Sequence, residues 1–116
     1  MLTWPHSVKV FVCSEPTDMR RSFDRLAFMA QDIMGQDPLS GHLFVYFNRV
    51  GDKCKILFWD RTGYCLWYKR LEKGVFRLPA KYRTGSGFEI DIAQLSLVLE
   101  GINLDNSRQF KRYSLR

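Results

Sequence analysis

Histidine is scarce in this chain of 116 residues, with only His6 and His42, and the cysteines Cys13, Cys54 and Cys65 form no C-x-x-C pair and cluster with no histidine. A histidine-rich metal centre is excluded, and the cysteines read as buried, reduced thiols rather than a disulfide frame. A zinc site built from Cys54, Cys65 and His42 gains no support from strand alternation, which sends the cysteines and His42 to opposite faces of a sheet. No apolar run approaches the roughly 18 residues needed to cross a bilayer, so no membrane partner is expected. The opening Met-Leu-Thr-Trp-Pro-His-Ser has neither the basic region nor the long apolar region of a secretory signal, which places the chain in the cytoplasm. Phosphate-binding loops, dinucleotide loops, H-E-x-x-H and G-x-S-x-G are all missing. The expectation is a protein with no cofactor, no metal and no catalytic residues.

What is present is apolar surface and positive charge. At 46% hydrophobic and 15% aromatic residues the chain can bury a core, and its length suits one domain. Lys and Arg outnumber Asp and Glu 18 to 12, for a net +6 and a pI near 9.5, which calls for an anionic partner. The surplus is concentrated: residues 49–83 carry ten Lys or Arg against Asp52, Asp60 and Glu72, a local +7. A basic tail over residues 105–116, with Arg108, Lys111, Arg112 and Arg116, follows a single domain over residues 1–104.

Residues 8–13 are rich in β-formers and predict a strand. Over residues 18–34, Met19, Phe23, Leu26, Ala27, Ala30, Ile33 and Met34 recur at the spacing of a helix with one buried face, with Thr17 or Asp18 as its cap and Gly35 at its end. Turn formers at 49–52, 60–63 and Lys73-Gly74 then separate β-rich runs, the last of them at residues 75–78. Residues 88–91 suit a short strand and 92–101 a second helix. The expected fold class is therefore α+β: an antiparallel β-meander of four to five strands, with a long N-terminal helix and a short C-terminal helix packed on one face.

Loops of these lengths set the register, and alternation divides the side chains. Leu43, Val45, Phe47, Cys54, Ile56, Phe58, Cys65, Trp67, Leu71, Phe76 and Leu78 share one apolar face, which should take the helices. The other face mixes rings with cations. Arg49, Lys53, Lys55 and Arg61 lie on or beside the hairpin tips, Trp59, Tyr64 and Tyr68 are candidates for base stacking, and Arg70 and Arg77 lie along the strands. Such a platform suits nucleic acid, because rings stack on bases and cations neutralise phosphates. The same residues also suit a protein interface, including a homodimer, or a second small core.

Carboxylates give little reason to expect an enzyme. A nuclease site would need Asp18, Asp60 and another acid to converge on Mg²⁺, whereas Asp52 and Asp60 suit turns and Asp18 suits a helix start. Asp18, Arg20, Arg21 and Asp24 together offer either an ion-pairing edge for a docking partner or local caps and intrahelical pairs.

Three stretches carry a resemblance: Pro16-Thr17-Asp18-Met19-Arg20-Arg21-Ser22-Phe23-Asp24 with Leu26; Gly41-His42-Leu43-Phe44-Val45 with Asn48-Arg49 and Gly51-Asp52-Lys53; and Lys55-Ile56-Leu57-Phe58-Trp59-Asp60 continuing to Leu66-Trp67-Tyr68-Lys69-Arg70-Leu71-Glu72-Lys73-Gly74. Together with Phe76, Arg77, Pro79 and the segment from Leu95 to Gly101 they resemble, over nearly the whole chain, the small TnpB accessory proteins of IS-66-type bacterial insertion sequences, which are distinct from the RNA-guided nucleases of the same name. Val50 departs from the pattern where a second basic residue is common, as does Cys13-Ser14 where small residues are usual. The resemblance implies a non-catalytic accessory role in DNA transposition, beside a separate DDE-type transposase of the same element that performs the chemistry. DNA and that transposase are the partners it implies, with docking on the transposase or self-association as the alternative role.

Overall fold

Leu43-Phe44-Val45-Tyr46-Phe47 is apolar at every position, and such a strand needs cover on both of its faces. In the computed structural model of the chain, which describes residues 4–78 and 85–101, it has that cover. The described elements run β1 (Val10–Cys13), α1 (Phe23–Asp32), β2 (Leu43–Phe47), β3 (Lys53–Trp59), β4 (Tyr64–Arg70), β5 (Gly87–Ile90) and α2 (Ile92–Leu99). Five strands form one sheet in the order β4-β3-β2-β1-β5, with β2 in the middle. Leu43, Phe44, Val45 and Tyr46 are all 0% exposed.

The antiparallel meander is corrected to a mixed sheet. β1 lies parallel to β2, with Val10 opposite Leu43 and Val12 opposite Val45, and β5 closes the other side of β1 in antiparallel register. A strand, a helix and a second parallel strand make a crossover unit, and its helix must lie across one face of the sheet. α1 accordingly covers Phe44, Tyr46 and Leu57 with Leu26, Ala27, Met29 and Ala30. α2 covers the opposite face, where Leu95, Val98 and Leu99 join Val10, Val12, Val45 and Ile56. Packing of both helices on a single face is thus also overturned, because both faces of the central strands are apolar.

The β2–β3–β4 part matches the reading from turn lengths. Asn48 N–H donates to Lys53 O (3.2 Å) across the 49–52 loop, and Trp59 pairs with Tyr64 across the 60–63 loop. Residues 75–78, in contrast, form no strand. Leu71 N–H donates to Asp52 O (2.8 Å) and Phe76 N–H to Gly51 O (2.7 Å), so this segment satisfies its backbone on the β2–β3 loop rather than on β4. Phe76 still reaches the core that alternation assigns it.

The expected long helix is also shorter than its apolar stripe. Asp18 closes a turn instead of capping: its carboxylate accepts the Arg20 N–H (2.9 Å) and its carbonyl accepts the Arg21 N–H (3.1 Å). The helix then starts after the extended residue Ser22, which leaves Phe23 43% exposed in the first turn. It ends at Asp32 with Ile33 as its C-cap, short of Gly35, which at φ 65° lies in the turn beyond, where Gln36 N–H donates to Ala30 O (3.0 Å). α2 begins with a reciprocal cap, Gln94 N–H to the Asp91 carboxylate and Asp91 N–H to Gln94 Oε1. The basic tail and the cations Lys81 and Arg83 lie outside the described residues. Among the described residues, no helix is long and apolar enough to cross a membrane.

Candidate functional site

The segment before α1 runs past the end of the β2–β3 hairpin, and two anchors hold it there. Thr17 N–H donates to Phe47 O (2.8 Å). Lys55, which alternation places among the basic residues, turns inward with only 6% of its surface exposed; its Nζ donates to Met19 O (2.6 Å) and Arg21 O (2.8 Å). Burial lowers the pKa of this amine below the ordinary lysine value, and the nearby Asp18 carboxylate opposes the shift. Within the segment itself, the Asp18 carboxylate also takes the Arg20 guanidinium through Nε and Nη2, the latter at 2.6 Å. Arg21 sets its guanidinium Nη1 3.8 Å from Met29 Sδ.

The facing loop is built by Asn48. Its Oδ1 accepts the N–H groups of Gly51 and Lys53 (both 3.0 Å) and its Nδ2 donates to Asp52 (2.6 Å), while Gly51 sits at φ 88°. Arg49 and Lys53, on and beside this loop, line a groove shared with residues 16–21. Between the two loops lies an open groove of about 620 Å³, lined by Asp18, Arg20, Arg21, Arg49, Lys53 and Tyr68 among others. Tyr68 is 52% exposed and pairs across the strands with Lys55, whose Nζ lies 4.8 Å from its ring centroid. Next along the ladder Lys53 opposes Arg70, which is ion-paired to Glu72 (2.8 Å) in an exposed position.

The groove therefore joins residues from two separate sequence-based sets: Asp18, Arg20 and Arg21 from the docking edge, and Arg49, Lys53 and Tyr68 from the nucleic-acid face. Arg70 flanks it and Asp24 stands exposed in the first turn of α1. Arg77 is exposed beside Phe76, which is tied to the same loop. Trp59, Arg61 and Tyr64 are elsewhere, at the far end of a strand about 20 Å long. There Trp59 and Tyr64 meet edge to face with centroids 5.1 Å apart, and Arg61 takes the left-handed conformation (φ 82°) in a loop held by the Asp60 carboxylate. α1 covers the middle of the ring-bearing face, so its exposed part is the Tyr68 end. Asp18 and Asp60 consequently lie at opposite ends of β3. Sequence reasoning missed Asn48 as the builder of the groove wall; an Asn three residues before Gly51 at a strand end was the available signal.

The Asp18–Arg20 pair carries a pH prediction. Side-chain hydrogen bonding to Arg20, followed by the backbone N–H of the same residue, lowers the Asp18 pKa from 3.8 to about 2. Because the folded value is depressed, the pair's contribution is complete above about pH 4 and is lost as pH falls toward 2. A carboxyl carbon NMR titration of Asp18 should give a midpoint near 2, and Arg20→Ala should return it toward 3.8.

Comparison with known proteins gives a concordant set of relatives. The family model described as IS66 Orf2 like protein matches residues 8–109. A protein of Sinorhizobium fredii described as uncharacterized protein y4hO is 39% identical over 103 residues, 89% of this chain and 88% of that one. A second from the same organism, uncharacterized protein y4jC, is 31% identical over 72 residues, 62% of each chain. No solved structure matches the chain.

Proposed function

We propose, from the premise that the chain belongs to the IS66 Orf2-like family, whose members are accessory proteins of transposition, that it contacts DNA through the groove between residues 16–21 and 48–53 without performing chemistry on it. The observation that carries this reading is the convergence of Arg20, Arg21, Arg49 and Lys53 on one groove whose lining, among the described residues, includes one acid, Asp18. Side chains that neutralise phosphates release counterions, so binding should weaken steeply with salt. Removing two phosphate contacts with Arg49→Ala and Lys53→Ala should weaken binding to element-end DNA by about tenfold or more, and should flatten the plot of log affinity against log salt by about 1.5. An unchanged affinity and slope would place the DNA contact elsewhere.

Exposed rings favour a second reading, in which the chain docks on the DDE-type transposase of its element. Phe23 and Phe28 are 43% and 51% exposed on α1, and the Arg25 guanidinium lies 5.4 Å from the Phe28 ring centroid. Co-purification with the transposase at high salt without DNA, lost in Phe23→Ser with Phe28→Ser, is the result that separates it from the DNA reading.

A further inference from the structure

We infer that the groove takes an unpaired DNA segment, with one base laid on the exposed ring of Tyr68 and the flanking phosphates held by Arg20, Arg21, Arg49 and Lys53. This rests on the DNA reading above and adds to it the class of DNA. The argument begins with the ring. Tyr68 sits on β4, an edge strand, with 52% of its surface open although Lys55 caps it at 4.8 Å. Lys55 is itself nine-tenths buried and held by the carbonyls of Met19 and Arg21, so the ring rests on a fixed support.

A large ring left open in a cationic groove is a stacking surface, and stacking is sequence-tolerant because every base has a flat face. Duplex DNA cannot use it. Its bases are stacked on one another, and it shows a concave protein surface mainly phosphates and sugars unless a base is extruded at an energetic cost. The groove is also bounded on two sides, by the 16–21 segment and by the 48–53 loop. Phosphates on either side of the stacked base fall among cations from both walls: Arg20 and Arg21 on one, Arg49 and Lys53 on the other.

The test compares the full chain's affinity for a mixed-sequence single strand of about 20 nucleotides with that for the same strand annealed to its complement. The single strand should bind about tenfold more tightly or better. Tyr68→Ala should remove most of that preference while leaving the salt dependence intact, because the four cations remain, and Tyr68→Phe should keep it because the hydroxyl is not used in stacking. Equal or tighter binding of the duplex, with Tyr68→Ala silent, would overturn this inference and leave the DNA reading standing. Failure of both DNA forms to bind would overturn the DNA reading itself, and with it the inference. Thermal melting of Tyr68→Ala guards against misreading a fold defect. If that variant unfolds, the single-strand to duplex ratio of the unaltered chain and of Tyr68→Phe decides the matter alone.

Discussion

Replacing Lys55 with methionine should lower the unfolding free energy by about 2 to 4 kcal/mol, although the change keeps an unbranched side chain and adds apolar character. The ammonium makes hydrogen bonds of 2.6 and 2.8 Å to Met19 O and Arg21 O, and a thioether can replace neither. Hydrogen bonds to charged groups are worth about 1.5 to 3 kcal/mol each, while methionine recovers part of the cost by filling the space without an amine to desolvate. Urea denaturation at neutral pH measures the loss. A second consequence should accompany it: DNA binding weakens at a temperature where the variant is folded, because the segment bearing Arg20 and Arg21 loses its tether. A change below about 0.5 kcal/mol would show that the segment is held without the Lys55 ammonium, through Thr17 N–H and Phe47 O.

Phe44→Ala should cost about 3 to 5 kcal/mol, the range for truncating a buried aromatic side chain. Phe44 is 0% exposed in the central strand, stacks on Phe11 with centroids 5.7 Å apart, and lies under α1 with Tyr46 and Leu57. This substitution separates the two arrangements of the sheet. With the ring-bearing face left open, the same change would cost well under 1 kcal/mol, as surface substitutions do. Chemical denaturation monitored by tryptophan fluorescence reads the difference directly.

Local physics made part of this fold legible. The partition of Leu43, Val45, Cys54 and Ile56 from Phe44, Tyr46 and Leu57 follows from a period of two and two four-residue loops, and each residue lies on the face so assigned. Parallel pairing of β1 with β2 was not legible in the same way, since no turn marks it and the partners are more than thirty residues apart. The helical stripe around Leu26 and Ala30 shows that α1 has a face to bury, but not which side of the sheet receives it. A strand, a helix and a strand rich in apolar residues on both faces was the available clue to a crossover unit.

At the site, alternation put Lys53, Lys55, Tyr68 and Arg70 on one face but could not distinguish an amine directed to solvent from one directed to backbone carbonyls. Lys53 lines the groove and Lys55 braces it, two residues apart on the same strand. Nor could a linear reading join Arg20 and Arg21 to Arg49. Their meeting depends on Thr17 N–H bonding to Phe47 O, a contact across thirty residues. Charge composition pointed to an anionic partner, and the convergence of these cations supplies a specific place for one.

Backbone amide NMR of the labelled full chain, titrated with a single-stranded oligonucleotide at low salt, tests the groove most directly. The largest shifts should fall on residues 18–21, 49–53 and 68–70, with the Tyr68 ring resonances moving upfield as a base stacks. Shifts concentrated on α2 and β5, or no shifts at all, would contradict the assignment of DNA contact to this groove.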